Sequence, residues 1–229
     1  MDGTVEDVVA IDGPAASGKS TVAARVAEKL GATYVNTGNM YRAVTLAALR
    51  RFGKEAPLDA GEVVGILDAV SLEYVFSGDG TPRLLLDGEN VEREIRAPEV
   101  AERVSAIAAI PRVREWLVER QRAFAKNGTI VMEGRDIGTV VFPNAKHKFY
   151  LTASPEVRAE RRLAQDGECP DGATVESVAR EIAERDKKDM ERPVSPLRRA
   201  DGAALIDTGG MSVDEVVEAV VVAIAEEKE

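Results

Sequence analysis

The chain has 229 residues, and its 40 Asp and Glu against 30 Lys and Arg give a formal charge of −10. That balance argues against a dedicated nucleic-acid binder, because affinity for a phosphate backbone comes mainly from clustered cations. With 45 % hydrophobic but only 4 % aromatic residues, the core must be built from Ala, Val, Ile and Leu, which suits helices on a buried parallel sheet better than an aromatic-rich sandwich.

At the N-terminus, Asp2, Glu6 and Asp7 stand where a signal peptide would need a basic segment and an apolar run, so no export signal is expected. Val8-Val9-Ala10-Ile11 predicts a short buried strand. After a Gly-rich turn, Val22, Ala23, Val26, Ala27 and Leu30 recur at helical spacing, with Gly31 placed to end that helix. Thr33-Tyr34-Val35 predicts a second strand, and Met40 to Phe52 a helix. From about Pro57 to Pro98 the rhythm breaks. Ser71 to Phe76 alternates apolar and polar residues, Ser77 to Pro82 is turn-rich, and Arg83 to Leu86 then leads into Asp87-Gly88, which predicts an antiparallel hairpin inserted into the fold.

Thr129 to Met132 and His147 to Thr152 predict two more strands; His147, the only histidine, is expected to be structural, and Trp116 and Tyr74 to be packing residues. A charged excursion runs from Ser154 to Pro196 through the loop Asp166 to Gly172. That loop carries the only cysteine, Cys169, which cannot form an intrachain disulfide and fits a reducing compartment. Ala203 to Asp207 predicts the last strand, and Ser212 with Glu215 makes a capping-box pattern opening the C-terminal helix. The apolar stretch Val216 to Ala225 within that helix is interrupted by Glu218 and falls short of the ~20 residues that cross a bilayer. The alternation implies an α/β fold with a parallel sheet, right-handed crossovers and helices on both faces. A soluble, cytoplasmic protein engaging neither membrane nor nucleic acid is expected.

Gly13, Pro14, Ala15, Ala16, Ser17, Gly18, Lys19 and Ser20 match the pattern G-x-x-x-x-G-K-[ST], with Thr21 following, between a predicted strand and a predicted helix. Gly13 and Gly18 permit the backbone angles and close approach that aim successive N–H groups at phosphate oxygens. Lys19 adds a full charge at the β- and γ-phosphates, Ser20 offers a hydroxyl to Mg²⁺, and the helix directs its N-terminal dipole at the anion. Nucleoside triphosphate binding follows.

The second signal is a supply of arginines. Transfer of a γ-phosphoryl group to another phosphate brings two polyanions together and needs cations around both. Arg42 follows the second strand. Arg135 and Asp136 follow the third, at the carboxyl edge where ligands of open α/β sheets bind. Arg158 and Arg162 lie four apart on one helical face, and Arg185, Asp189 and Arg192 present cation, carboxylate, cation on another. Taken singly, each of the last two sets reads first as a solvated helix face carrying ordinary ion pairs. A nucleotide-dependent regulatory ATPase or switch, or a phosphate-loop kinase for another small acceptor, are the alternatives left open.

The phosphate loop with Ile11-Asp12 before it, the run Thr37 to Arg42, Pro111-Arg112-Val113-Arg114, the string Gly134 to Pro143 and the segment Arg185 to Arg192 together resemble the bacterial cytidylate kinases. The resemblance implies a nucleoside monophosphate kinase fold with a five-stranded parallel core. It divides the chain into a core ATP-binding domain (1–56, 99–153, 197–229), a β-rich monophosphate-binding insert (57–98), and a lid with its following helix (154–196). It implies a monomer that transfers phosphate from ATP to CMP or dCMP with Mg²⁺. Thr37 and Tyr41 would belong to the acceptor site. Ser105, Arg114 and Asp136 would contact cytosine, and Arg185 and Asp189 the sugar. Arg42, Arg135 and Arg192 would hold the acceptor phosphate, and Arg158 and Arg162 would close over the donor. Asn36 stands where the family commonly has an acid, and Asn39 where it has a small residue.

Overall fold

A computed structural model describes residues 8–55, 57–76, 82–165, 169 and 172–226. The acids before Val8, the hairpin turn at 77–81 and most of the loop at 166–171 lie outside the described residues. The chain forms two compact units, one of residues 1–36 and 121–229 and the other of residues 37–120.

The first unit is built on five parallel strands: β1 (Val8–Asp12), β2 (Thr33–Asn36), β6 (Ile130–Gly134), β7 (His147–Thr152) and β8 (Ala204–Asp207), in the order β2-β6-β1-β7-β8. Every residue of β1 and of β6 is buried, which is why both read as continuous apolar runs rather than alternations. Helix α1 (Lys19–Leu30) carries Val22, Ala23, Val26 and Ala27 on its inner face. These pack with Val9, Ile11, Val131, Phe149 and Leu151 of the sheet and with Val216, Val217, Val220 and Ile224 of α8 (Val213–Glu226). Gly31 ends α1 in the left-handed conformation, φ 61°, its N–H and that of Ala32 returning to the carbonyls of Glu28 and Ala27. At the start of α8, Ser212 Oγ accepts the Glu215 N–H while Glu215 accepts the Ser212 N–H at 2.7 Å, the expected capping box. Helices α6 (Pro155–Leu163) and α7 (Val175–Glu191) form a hairpin in the same unit.

The second unit holds α2 (Thr37–Phe52), α3 (Ala60–Ile66), the antiparallel strands β3 (Leu72–Phe76), β4 (Pro82–Leu86) and β5 (Glu89–Asn90), α4 (Pro98–Ala109) and most of α5 (Pro111–Phe124). The inserted hairpin is present, with a third short strand added to it. Leu84 and Leu86 pack with Ala43, Leu46, Leu49, Ile95 and Val100 into a core of its own. Trp116 is buried, with the Arg120 guanidinium over its ring, and Tyr74 packs against the unit's core. Among the described residues, no helix is long and apolar enough to cross a membrane.

Candidate active site

The phosphate loop joins β1 to α1. A β-carbon on Gly13 would lie 2.1 Å from the carbonyl oxygen of Leu151 on β7, so only glycine lets the chain leave the sheet there. Gly18 turns into the helix at φ 86°, and Ala16 also sits in the left-handed region at φ 56°. An alanine in that region carries strain, held by its surroundings at a point where backbone amides must converge. Lys19 is buried, and its ammonium donates to the carbonyl of Pro14 at 2.6 Å and to Ser17 Oγ at 3.3 Å. Burial, reinforced by the Arg135 charge, lowers its pKa from 10.5 to about 7. Ser20 and Thr21 lie exposed in the first turn of α1. Behind the loop, Arg161 donates to both the hydroxyl and the carbonyl of Thr208, and Thr208 Oγ1 lies 3.2 Å from the Ser17 carbonyl.

Asp12, the last residue of β1, carries no role in the sequence reading and is a central feature of the unit. Its Oδ1 accepts the Ile137 N–H at 2.8 Å and its Oδ2 the Gly138 N–H at 2.7 Å. Burial raises its pKa from 3.8 to about 7, opposed by those two N–H groups and by Lys19. The segment it holds, Ile137–Val141, forms a wide helical turn immediately after Arg135 and Asp136. Asp136 is buried there, 4 % exposed, and its carbonyl accepts the N–H groups of Val140 and Val141.

Arg158 and Arg162 are each 6 % exposed, so the solvated-face alternative does not hold. Arg158 donates to the carbonyls of Ala153 and Ala15, at 3.0 and 3.1 Å, and pairs with Asp186 of α7. Arg162 pairs with Glu181 at 3.2 Å. The apolar contact beneath them, Ala15 with Ala159, Val178 and Ile182, seats the α6–α7 hairpin directly on the phosphate loop.

A second ionic group stands at the C-terminal half of α7. Arg135 Nε donates to Asp189 Oδ2 at 3.0 Å, and Arg192 Nη1 lies 3.6 Å from Asp189 Oδ1. Asp189 thus gathers two of the three cations expected at the acceptor phosphate, Arg135 and Arg192. Arg185, half-buried, lies one turn before it. Asn36 donates to Tyr34 Oη at 3.2 Å, and Tyr34 in turn donates to the buried Glu133 at 2.8 Å.

In the other unit, the Arg114 guanidinium lies 5.1 Å over the Tyr41 ring and donates to the Ala108 carbonyl. Its 2 % exposure fixes its orientation. Arg42 donates to the Ile95 carbonyl at 3.0 Å. Thr37 opens α2 buried, and Ser105 lies half-buried on α4. The expected residues therefore group as Lys19 with the phosphate loop and Arg158, Arg135 with Asp189 and Arg192, and Arg114 with Tyr41. Asp12 and Asp186 complete the first unit's charge network; both lie in the motifs read from the sequence, which gave neither of them a role.

The family model for cytidylate kinase matches residues 9–226. A protein named cytidylate kinase from Symbiobacterium thermophilum is 50 % identical over 220 residues, covering 95 % of each chain. One of the same name from Desulforamulus reducens is 47 % identical over 219 residues, 95 % of this chain and 96 % of that one. A third, from Streptococcus sanguinis, is 49 % identical over 209 residues, 91 % and 92 % of the two chains. Carried by this extent of likeness, on a five-stranded parallel sheet with a complete phosphate loop, the chain belongs to the cytidylate kinase family.

Proposed function

We propose that the enzyme transfers the γ-phosphoryl group of ATP to CMP, and to dCMP, by direct in-line displacement. The observation that carries this reading is the pairing of a complete phosphate loop with a second cation group, Arg135 and Arg192 gathered on Asp189. A small alcohol acceptor would not need that second group, whereas a monophosphate would.

Lys19, released from Pro14, would hold the β- and γ-phosphates, and Arg158 and Arg162 would neutralise the donor from the lid at 154–196. Arg42, Arg135 and Arg192 would hold the acceptor phosphate. Cytosine offers an exocyclic amino donor that the carboxylate of Asp136 can accept, and O2 and N3 acceptors that suit Arg114, and Ser105 would also contact the base. Uracil presents a carbonyl in place of that donor, which an ionised Asp136 would repel. Asp189 and Arg185 would meet the sugar hydroxyls, and Thr37 and Tyr41 would complete the acceptor side. Ser20 presents a hard hydroxyl oxygen at an exposed position beside Lys19, the kind of donor that suits Mg²⁺ bound chiefly by phosphates and water. When bound, Mg²⁺ would supply neutralisation of the phosphate oxygens. A cytoplasmic monomer fits this reading.

The test is a panel of CMP, dCMP, UMP and AMP in a coupled ADP-release assay. Turnover of CMP and dCMP well above the others is expected. Fast turnover of AMP with none of CMP, or ATP hydrolysis indifferent to any acceptor, would overturn it.

A further inference from the structure

The loop that carries Arg135 and Asp136 is fixed from outside at both ends. At its start, the Asp12 carboxylate forks onto the N–H groups of Ile137 and Gly138. At its end, the Arg122 guanidinium, from the last turn of α5, forks onto two carbonyls, with Nε donating to Val141 at 2.9 Å and Nη2 to Val140 at 2.8 Å. An anion thus faces the N-terminal end of the wide turn Ile137–Val141, and a cation its C-terminal end. That is the arrangement its backbone dipoles favour. The middle is closed by packing: a β-carbon on Gly138 would come within 3.2 Å of Ala200 Cβ, 3.3 Å of Lys148 Cδ and 3.4 Å of Asp12 Oδ2.

Neither clamp residue belongs to the loop. Asp12 immediately precedes Gly13, so the residue that ends β1 fixes the phosphate loop's origin and the Arg135–Asp136 loop at once. We infer that Asp12 and Arg122 are positioning residues for acceptor recognition, setting the place and orientation of Arg135 and Asp136 through the backbone between residues 137 and 141. The inference rests on the acceptor roles proposed above for those two residues. Two forked contacts, each satisfying two backbone groups, leave the turn one arrangement, and a displacement of about 1 Å at a positioned group can cost up to about a hundredfold in rate.

The prediction concerns a ratio. In Arg122→Ala, KM for CMP should rise about tenfold while KM for ATP stays within about twofold. Arg122→Lys, which keeps the charge but not the fork, should recover only part of the loss. Asp12→Asn retains one acceptor oxygen and, because Asp12 also adjoins the phosphate loop, should raise both KM values, that for CMP the more. Arg122 is exposed, so its variants keep the experiment decisive if Asp12→Asn fails to fold. Thermal melts run in parallel separate stability from positioning. A lowered melting temperature with an unchanged ratio of the two KM values, or equal rises in both, would overturn the inference. The wild-type protein in the same assay tests the reading itself. If it uses a monophosphate other than CMP, the cytidylate assignment fails, and the clamp is judged on that acceptor's KM by the same ratio.

Discussion

The Asp186 carboxylate, on α7, accepts the backbone N–H of Ala15 in the phosphate loop at 3.1 Å. Its other oxygen takes the Arg158 guanidinium, which also donates to the Ala15 carbonyl. Ala15 of the loop is therefore held at both its N–H and its carbonyl by the α6–α7 hairpin, through a carboxylate that takes up the loop amide and the Arg158 guanidinium.

Removing that carboxylate leaves the Arg158 charge buried without its partner. Asp186→Ala should lower the unfolding free energy by about 3–5 kcal/mol, measured by urea denaturation. Asp186→Asn keeps an acceptor for Ala15 and should lose less.

Lys19 makes the stability of the protein without added nucleotide pH-dependent in a defined direction. Its folded pKa, about 7, lies below the ordinary 10.5. Between those values the unfolded chain holds a proton that the folded chain has lost, so this contribution to stability rises with pH. Lys19→Met should abolish turnover and yet melt at a higher temperature than wild type near pH 7, an advantage that fades as the pH approaches 10.5. Asp12 works the other way. Its folded pKa of about 7 lies above 3.8, so its contribution is present below about pH 4 and is lost as pH rises to about 7. Asp12→Asn should flatten the wild-type decline in melting temperature over that window.

Phosphates arriving at Lys19 should restore its proton. At pH 8, ATP binding should take up close to one proton, which calorimetry in two buffers of different ionisation enthalpy will read as a difference in apparent binding enthalpy. The difference should vanish in Lys19→Met.

Asp136 tests base recognition. A hydrogen bond to a charged group contributes about 1.5–3 kcal/mol, so Asp136→Ala should narrow the preference for CMP over UMP by at least about tenfold in kcat/KM. Equal losses with both substrates would remove Asp136 from contact with the base.

Gly13→Ala places a methyl group against the Leu151 carbonyl. Because the obstacle is backbone, the loop must move, and a loss of about 3 kcal/mol or more is expected, together with weakened ATP binding in the same calorimeter.

The strands and the phosphate loop were legible because each is encoded by adjacent residues: β1 by an unbroken apolar run, the loop by fixed spacing, and the hairpin by alternation around turn residues. Asp12 was not, because its partners are backbone amides 125 and 126 residues away, and a main-chain donor leaves no side-chain signature. Asp186 did leave a trace. Val178, Ile182 and Asp186 recur every fourth residue along the buried face of α7, so an apolar stripe that ends in an acid marks a carboxylate carried inward. Spacing also linked Arg185, Asp189 and Arg192. It could not distinguish a buried Arg158 from a solvated one, since burial depends on α7 folding back over α6. The wide turn at 137–141 was unreadable for a related reason: its geometry is imposed by side chains outside it.

Ala16 has a consequence for the kinetics of encounter. Its left-handed backbone, φ 56°, is already set by the packing of Ala15 and Ala16 against the α6–α7 hairpin. An arriving nucleotide meets a cradle whose least favourable torsion has been resolved during folding. Capture should then be limited by diffusion, charge and the release of Lys19 from Pro14, rather than by a search among loop conformers.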